Sequence, residues 1–195
     1  MGGWITRVSA VLVVLFALGC SDDAAPQGSV PAAPSATPSP LAPAVGEVGQ
    51  VVRNGGVTLT VTAARVADSI DMNESNYRPG SGFEKYTKTK PDAGGKFVVV
   101  ETHIVNDAKV SMDLTCSLPI STVLVDAKDR NFDPIQDLYK LKGNPECNDQ
   151  LQPGFETDMT YVYLVPIDAK ITGWAFTDLT ESLGNQDYTA VRLTV

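Results

Sequence analysis

Few residues in this chain of 195 have the type and spacing that catalysis or metal binding requires. The single histidine, His103, lies two residues after Glu101 in a run typical of a central strand. No G-x-S-x-G motif or comparable nucleophile signature accompanies it, and one histidine cannot build a multi-histidine metal site. We therefore expect a structural or surface histidine, no enzyme, and no cofactor.

An acidic segment at 129–133, of sequence DRNFD, matches the first three ligand positions of an EF-hand calcium loop. The match then ends, because Pro134 stands where the loop needs glycine and Lys140 where it needs glutamate. A polar hairpin turn explains these residues better, so we predict no metal site. A weak calcium site of a different kind stays open as the alternative.

Cys20 follows a short apolar run at the N-terminus. One positive charge and the apolar residues 8–18 precede it, which is typical of a secretory signal peptide, and the run is too short for a membrane-spanning helix. Residues 17–20, of sequence ALGC, resemble a bacterial lipobox, in which the cysteine is diacylated and becomes the mature N-terminus. We expect a lipid at Cys20, and two acyl chains would give stable membrane attachment. Ordinary cleavage beside a chance cysteine is the alternative.

Two further cysteines, Cys116 and Cys147, remain once Cys20 is assigned to lipid. An even pair in an exported chain predicts a disulfide bond. A redox-active pair is the alternative, but the sequence has no CxxC motif and no histidine close to either cysteine.

Charge and proline content divide the chain. With 15 basic and 23 acidic side chains the net charge is −8, which opposes phosphate backbones, so no nucleic-acid partner is expected. Residues 21–44 hold six of the 13 prolines and no periodic apolar pattern, which predicts a semi-stiff, disordered Pro/Ala-rich linker. The predicted organisation is a lipoprotein signal peptide at 1–19, the lipidated cysteine and linker at 20–45, and a folded domain at 46–195.

Short alternating runs separated by turn residues fill the folded domain, which is typical of an antiparallel all-β fold. The strongest signal is that of a hairpin, which joins 50–53 to 57–63 across Asn54, Gly55 and Gly56, because Asn and Gly tolerate positive φ. About eight strands with little helix favour a β-sandwich over a barrel. The other predicted elements are a central strand at 96–106, a strand at 110–116 with Val110, Met112, Leu114 and Cys116 directed inward, strands at 121–125, 155–165, 171–177 and 188–195, a turn at 128–131 leading to Phe132, a helical turn at 133–141 capped by Asp133, and core aromatics Phe97, Trp174 and Phe176.

A family resemblance spreads over residues 45–177 and is carried by pattern. Its pieces are Val48-Gly49 before the first hairpin, the strand at 95–100 that continues to Asn106, the turn approach at 125–127, and 151–154, of sequence LQPG, before a long strand. Together they resemble the telokin-like immunoglobulin-fold domain of unknown function found in bacterial lipoproteins, which is related to the immunoprotective extracellular antigens. The resemblance implies an immunoglobulin-like sandwich outside the cell with no assigned catalytic residues.

The stretch 68–95 departs from that family pattern and shows no convincing strand alternation. Loops of this length in a compact domain are usually functional or disordered. Interleaved aromatic and basic residues suit a contact surface for an acidic or aromatic partner, whereas a floppy insertion that binds nothing is the alternative. Removing the stretch is expected to leave the fold intact. The candidate partner-binding residues are Tyr77, Arg78, Phe83, Lys85, Tyr86 and Lys88.

The sequence thus favours a lipid-anchored bacterial cell-surface protein on the extracytoplasmic face of the membrane. It would act as a non-enzymatic binding or interaction module of the cell envelope, with a protein or envelope component as partner. The alternative is a small-molecule, ion or glycan binder that uses a pocket at one end of the sandwich.

Overall fold

The computed structural model describes residues 45–180 and 187–195. The predicted signal peptide, Cys20 and the linker up to residue 44 lie outside the described residues. One turn of 3-10 helix, Leu138–Lys140, lies between the ninth and tenth strands, and no helix in the described part is long and apolar enough to cross a membrane. The strands are β1 (Val45–Glu47), β2 (Val51–Asn54), β3 (Val57–Ala67), β4 (Ile70–Asn73), β5 (Tyr86–Thr89), β6 (Gly95–Asn106), β7 (Met112–Asp113), β8 (Ile120–Asp126), β9 (Asn131–Phe132), β10 (Gln150–Leu151), β11 (Glu156–Pro166), β12 (Ile171–Asp178) and β13 (Thr189–Arg192).

Two main sheets form the predicted β-sandwich. One has four antiparallel strands in the order β11-β6-β3-β2, and the other has five in the order β1-β13-β12-β8-β9. Only β1 and β13 pair in parallel among the described strands. Two small sheets, β4-β5 and β10-β7, complete the pairing. The predicted central strand is confirmed, since β6 lies between β3 and β11.

The predicted first hairpin is present, with Asn54 opposite Val57. Its turn residue Gly55 has a φ of 54°, the left-handed region that glycine enters without strain. Asp178 at the end of β12 accepts a hydrogen bond from the backbone N–H of Gly56 at 2.7 Å, and its own N–H donates to the side chain of Asn54 at 3.0 Å. This hairpin therefore ties the two sheets together at one end of the sandwich.

The core contains the predicted aromatic side chains and two tyrosines that the strand pattern did not single out. Phe97, Trp174 and Phe176 are buried, as are Tyr161 and Tyr163 on β11. Trp174 donates its indole N–H to the Tyr163 hydroxyl at 2.6 Å, and Tyr163 donates to Thr122 on β8 at 2.8 Å. A chain of satisfied polar groups thus joins β12, β11 and β8 inside the apolar core.

Two predicted elements differ from the structure. Instead of a strand at 110–116 only Met112–Asp113 pairs; Met112 and Leu114 are buried, but Val110 and Cys116 are exposed. The helical turn predicted from Asp133 is absent, because the N–H of Ile135 donates to the carbonyl of Val162 on β11 at 2.8 Å. That contact holds the segment extended, and helical geometry begins only at Leu138.

Candidate functional site

A cleft of about 650 Å³ lies between the stretch 68–95 and the loop that carries Cys147. We call it the insertion cleft. Residues from three segments line it, namely Asn73, Ser75, Asn76, Tyr77, Arg78 and Pro79 from the insertion, Tyr139 and Lys140 from the 3-10 turn, and Glu146, Cys147, Asn148 and Asp149 from the disulfide loop. Two of the predicted partner-binding residues and one predicted disulfide cysteine therefore share one site.

The base of the insertion is a hairpin rather than an irregular loop, which corrects the expectation from sequence. Strands β4 and β5 pair over four residues, with Asp71 opposite Lys88 and Asn73 opposite Tyr86. Ile70 and Met72 on β4 are buried in the core. The base is thus part of the folded domain, whereas most of residues 75–84 are exposed.

The tip, residues 75–84, is held by hydrogen bonds of its own. The Asn73 side chain accepts from the Ser75 backbone N–H at 3.0 Å and donates to the Tyr77 carbonyl at 2.9 Å. Glu84 accepts from the Gly80 N–H at 3.1 Å and from the Ser81 hydroxyl at 3.2 Å. These contacts fix the tip, so that little ordering entropy is lost when it meets a partner.

Two aromatic rings stand at the tip. Tyr77 is 58% exposed and Phe83 is 68% exposed, and their ring centroids lie 5.6 Å apart in a tilted arrangement. Aromatic pairs at this distance attract each other, and exposed aromatic side chains are favoured anchors of protein interfaces. The pair forms an apolar surface at the rim of the insertion cleft.

The opposite wall is organised by the predicted disulfide. The Cys116 and Cys147 sulfur atoms are bonded, and the loop between them returns to the sandwich. Asp113, which is buried, accepts backbone hydrogen bonds from Cys116 at 3.0 Å and from Asn148 at 3.1 Å. Burial pushes the pKa of Asp113 up, but the N–H groups of Cys116, Thr115 and Asn148 outweigh it and hold the pKa below its usual range.

Hydrogen bonds of the Asn144 side chain join the 3-10 turn to the sandwich. The buried side chain of Asn144 donates to the carbonyls of Leu138 and Thr160 and accepts from the Thr160 N–H, all within 2.9 Å. Sequence reasoning missed Asp113 and Asn144. The Asp-x-Thr-Cys spacing at 113–116 is a signal for the first, because an Asp side chain commonly caps N–H groups two and three residues on.

The charged groups of the insertion cleft neutralise each other. Arg78 forms an ion pair with Glu146 and lies 4.0 Å from Asp149, and the hydrogen bond to Glu146 raises the pKa of Arg78. Lys140 pairs with Asp137 at 2.9 Å. The site therefore does not present the free cationic surface that the sequence suggested for an acidic partner.

The remaining predicted partner-binding residues lie on the insertion at different depths. Lys88 pairs with Asp71 at 3.3 Å and lies on the base, away from the lining of the insertion cleft. Tyr86 is half-buried beside Lys142, and burial together with the nearby Glu84 and Glu146 raises its pKa. Lys85 is exposed, and its backbone N–H donates to Ser75 at 3.3 Å.

His103 lies on the outer face of the four-stranded sheet, with its side chain 37% exposed. It contacts Asp158 at 2.9 Å and Glu156 at 3.5 Å on the neighbouring strand, which raise its pKa despite some desolvation. The structure thus places it at the surface, as predicted, and adds two acidic neighbours that the chain order did not reveal.

Two carboxylates that could be considered as metal ligands, Asp113 and Asp126, are engaged in contacts within the protein. Asp113 lies close to both Cys116 and Cys147, but those sulfur atoms are bonded to each other. Three residues before the EF-hand-like segment, Asp126 accepts from the N–H groups of Lys128 and Arg130 and pairs with the Arg130 guanidinium at 2.6 Å. This is the predicted polar hairpin turn, which joins β8 to β9.

The chain is similar in structure to several solved proteins. An uncharacterized β-sandwich protein from Clostridium difficile 630 is similar with a TM-score of 0.51 at 10% identity, over 78% of this chain and 95% of that one. A conserved hypothetical protein from Bacillus anthracis gives 0.46 at 21% identity, over 70% and 91% of the two chains. The secreted protein MPT63 from Mycobacterium tuberculosis gives 0.44 at 11% identity, over 80% and 99%. No protein-family model and no curated protein matches the sequence. The first of these structures confirms the β-sandwich.

Proposed function

We propose that this chain is a lipid-anchored, telokin-like binding module of a bacterial cell envelope. In this proposal Cys20 carries the lipid and the Pro/Ala-rich linker holds the sandwich off the membrane on its extracytoplasmic side. The tip at 75–84, with the insertion cleft beneath it, meets a protein or other envelope component.

The observation that carries the proposal is the exposed Tyr77–Phe83 pair on a tip fixed by internal hydrogen bonds. Large exposed apolar side chains are usual as isolated residues, but a contacting aromatic pair on an ordered projection suits an interface anchor. The cleft below it offers Asn and carboxylate groups that suit the polar rim of such an interface.

The ion pairs within the insertion cleft indicate which kind of partner suits the site. Because Arg78 is paired with Glu146 and Lys140 with Asp137, an acidic partner would have to compete with these carboxylates for the two cations. An apolar or aromatic patch on the partner, bordered by hydrogen-bonding groups, fits the tip better. Of the two pairs, Arg78–Glu146 joins the insertion to the disulfide loop across the cleft, whereas Lys140 and Asp137 lie three residues apart on one wall.

The test is a binding comparison between full-length variants in the cells that produce the protein. Tyr77→Ala/Phe83→Ala removes the aromatic pair, and Phe155→Ala removes an aromatic side chain of matched exposure, 65%, outside the insertion. We expect the double variant to lose most of the co-purifying partner at unchanged protein level, and Phe155→Ala to retain it. Equal retention by all three proteins would contradict the proposal.

A further inference from the structure

A second cleft, of about 300 Å³, lies at the end of the sandwich where β8 begins and β12 ends. We call it the terminal cleft. Its walls are largely apolar, with Leu118, Ile120, Ile135 and Leu179 among the lining residues. It shares no residue with the insertion cleft, so it is independent of the proposed partner surface.

One buried polar group in the wall of the terminal cleft has no hydrogen-bond partner in the part of the chain that the structure describes. Tyr161 lines the terminal cleft and is 1% exposed, and its buried hydroxyl has no hydrogen-bond partner among the described residues. Tyr163, two residues further along β11, offers a direct comparison, because its hydroxyl is bonded to both Trp174 and Thr122. Buried hydroxyls nearly always have a partner in the protein, a water or a ligand, so the Tyr161 hydroxyl calls for one.

The walls of the terminal cleft are fixed by main-chain contacts. Ile135 donates its N–H to Val162 on one side, and Leu179 donates to the Pro119 carbonyl on the other, both at 2.8 Å. Leu118 at the rim has a φ of 46°, a conformation that a bulky residue adopts only when its surroundings impose it. The cleft is therefore built into the backbone and does not depend on side-chain rotamers alone.

The polar groups of the terminal cleft restrict the kind of ligand that it suits. Burial raises the pKa of Tyr161, so the group stays protonated at neutral pH and donates. Asp133 also lines the cleft, and its exposed carboxylate repels anions at the entrance. The apolar lining supplies affinity for hydrocarbon.

We propose that the terminal cleft binds a small, neutral, largely apolar molecule that carries one hydrogen-bond acceptor oxygen, such as a ketone or ester, and that the Tyr161 hydroxyl donates to that oxygen. This inference does not rest on the partner surface of the tip. Either one can fail without the other.

The test uses acetophenone and α-methylstyrene, which have the same shape but carry C=O and C=CH2 respectively. Both are titrated into the full-length protein and into Tyr161→Phe below the solubility limit of the alkene, and methyl NMR signals of Leu118, Ile120, Ile135 and Leu179 are followed. A neutral hydrogen bond corresponds to roughly a fivefold change in affinity. We expect Tyr161→Phe to weaken acetophenone binding by about that factor and to leave α-methylstyrene binding unchanged.

Thermal unfolding provides the matched control. Tyr161→Phe removes an unpaired hydroxyl and should leave the melting temperature unchanged or higher, whereas Tyr163→Phe breaks two buried hydrogen bonds and should lower it. The proposal is overturned if the wild type binds neither probe, if Tyr161→Phe affects both probes equally, or if it lowers the melting temperature as much as Tyr163→Phe does.

Discussion

Asp113 connects the two cysteine-bearing segments at the scale of single residues. One carboxylate oxygen faces the Cys116 N–H and the other faces the Asn148 N–H. An amide in the same place would direct its NH2 group at one of these donors. Asp113→Asn should therefore lower the free energy of unfolding at neutral pH by about 1–3 kcal/mol, the cost of an unsatisfied buried donor. Urea denaturation of both proteins measures this.

Asp113 also affects how the free energy of unfolding depends on pH in the acid range. The folded-state pKa of Asp113 lies below its unfolded value of about 3.9, so its contribution is complete above that value and is lost as pH falls through the folded pKa. We expect wild-type stability to drop more steeply below about pH 4 than that of Asp113→Asn. Parallel slopes for the two proteins between neutral and acid pH would show that the carboxylate is not involved.

The disulfide gives a second prediction at this scale. Cys116 and Cys147 are 31 residues apart, and closing such a loop stabilises by up to about 4 kcal/mol in the chain-entropy view. Cys116→Ser/Cys147→Ser should lose at most this much, because residual structure in the unfolded chain reduces the entropic gain. Non-reducing peptide mapping should recover the linked pair from native protein. Two free thiols there would rule the bond out.

At the scale of elements, the insertion is a core-anchored hairpin with a separable tip. Glu74 and Lys85 are already joined by a backbone hydrogen bond of 3.0 Å, the spacing that a two-residue turn can close. Replacing residues 75–84 by Asn-Gly should keep β4 and β5 and lower the melting temperature modestly. The cost comes from the lost partners of the buried Asn73.

Removal of the whole stretch 68–95 is the matching control. It deletes the buried Ile70 and Met72, whose loss leaves cavities that cost about 2–5 kcal/mol each. We therefore expect the full deletion to unfold at clearly lower denaturant concentration than the tip replacement, in contrast to the sequence-based expectation of an intact fold. Equal midpoints would mean that the hairpin base does not pack as described.

The sequence predicts correctly those elements that local interactions determine, and fails where contacts between distant parts of the chain decide the structure. The first hairpin and the central strand follow from Asn54-Gly55-Gly56 and from a long apolar run, which are local signals. Strand β4 was missed because only Ile70 and Met72 alternate, and the partner strand β5 is polar. The helical turn at 133–141 was wrong because a contact with Val162, far along the chain, outweighs the local capping preference of Asp133.

The candidate site divides in the same way. Exposed aromatic residues at the tip were predicted from composition. The pairing of Arg78 with Glu146 could not be predicted, because the two residues are 68 positions apart and neither local sequence indicates the contact. The Cys116–Cys147 bond was predicted from sequence, but the wall that its loop forms was not. Its position opposite the insertion depends on how β7, β10 and the 3-10 turn pack, which no local pattern encodes.

At the scale of the whole molecule, the proposal joins a lipid, a linker and a sandwich. Cys20→Ala should release the protein from membranes or leave it unprocessed, and labelled fatty acid should enter the wild type alone, because in this proposal two acyl chains on Cys20 supply the attachment. Fractionation and metabolic labelling of the full-length protein measure this. A variant that fractionates and labels like the wild type would contradict the anchor while leaving the partner surface untouched.

The most direct measurement of the partner surface is site-specific photo-crosslinking in intact cells. A benzophenone amino acid is placed at position 77, 83 or 155 of the full-length chain, three aromatic positions that are all more than half exposed. We predict one discrete crosslinked species from positions 77 and 83 that is absent from position 155. Adducts from position 155 alone, or the same pattern from all three positions, would contradict the assignment of binding to the tip.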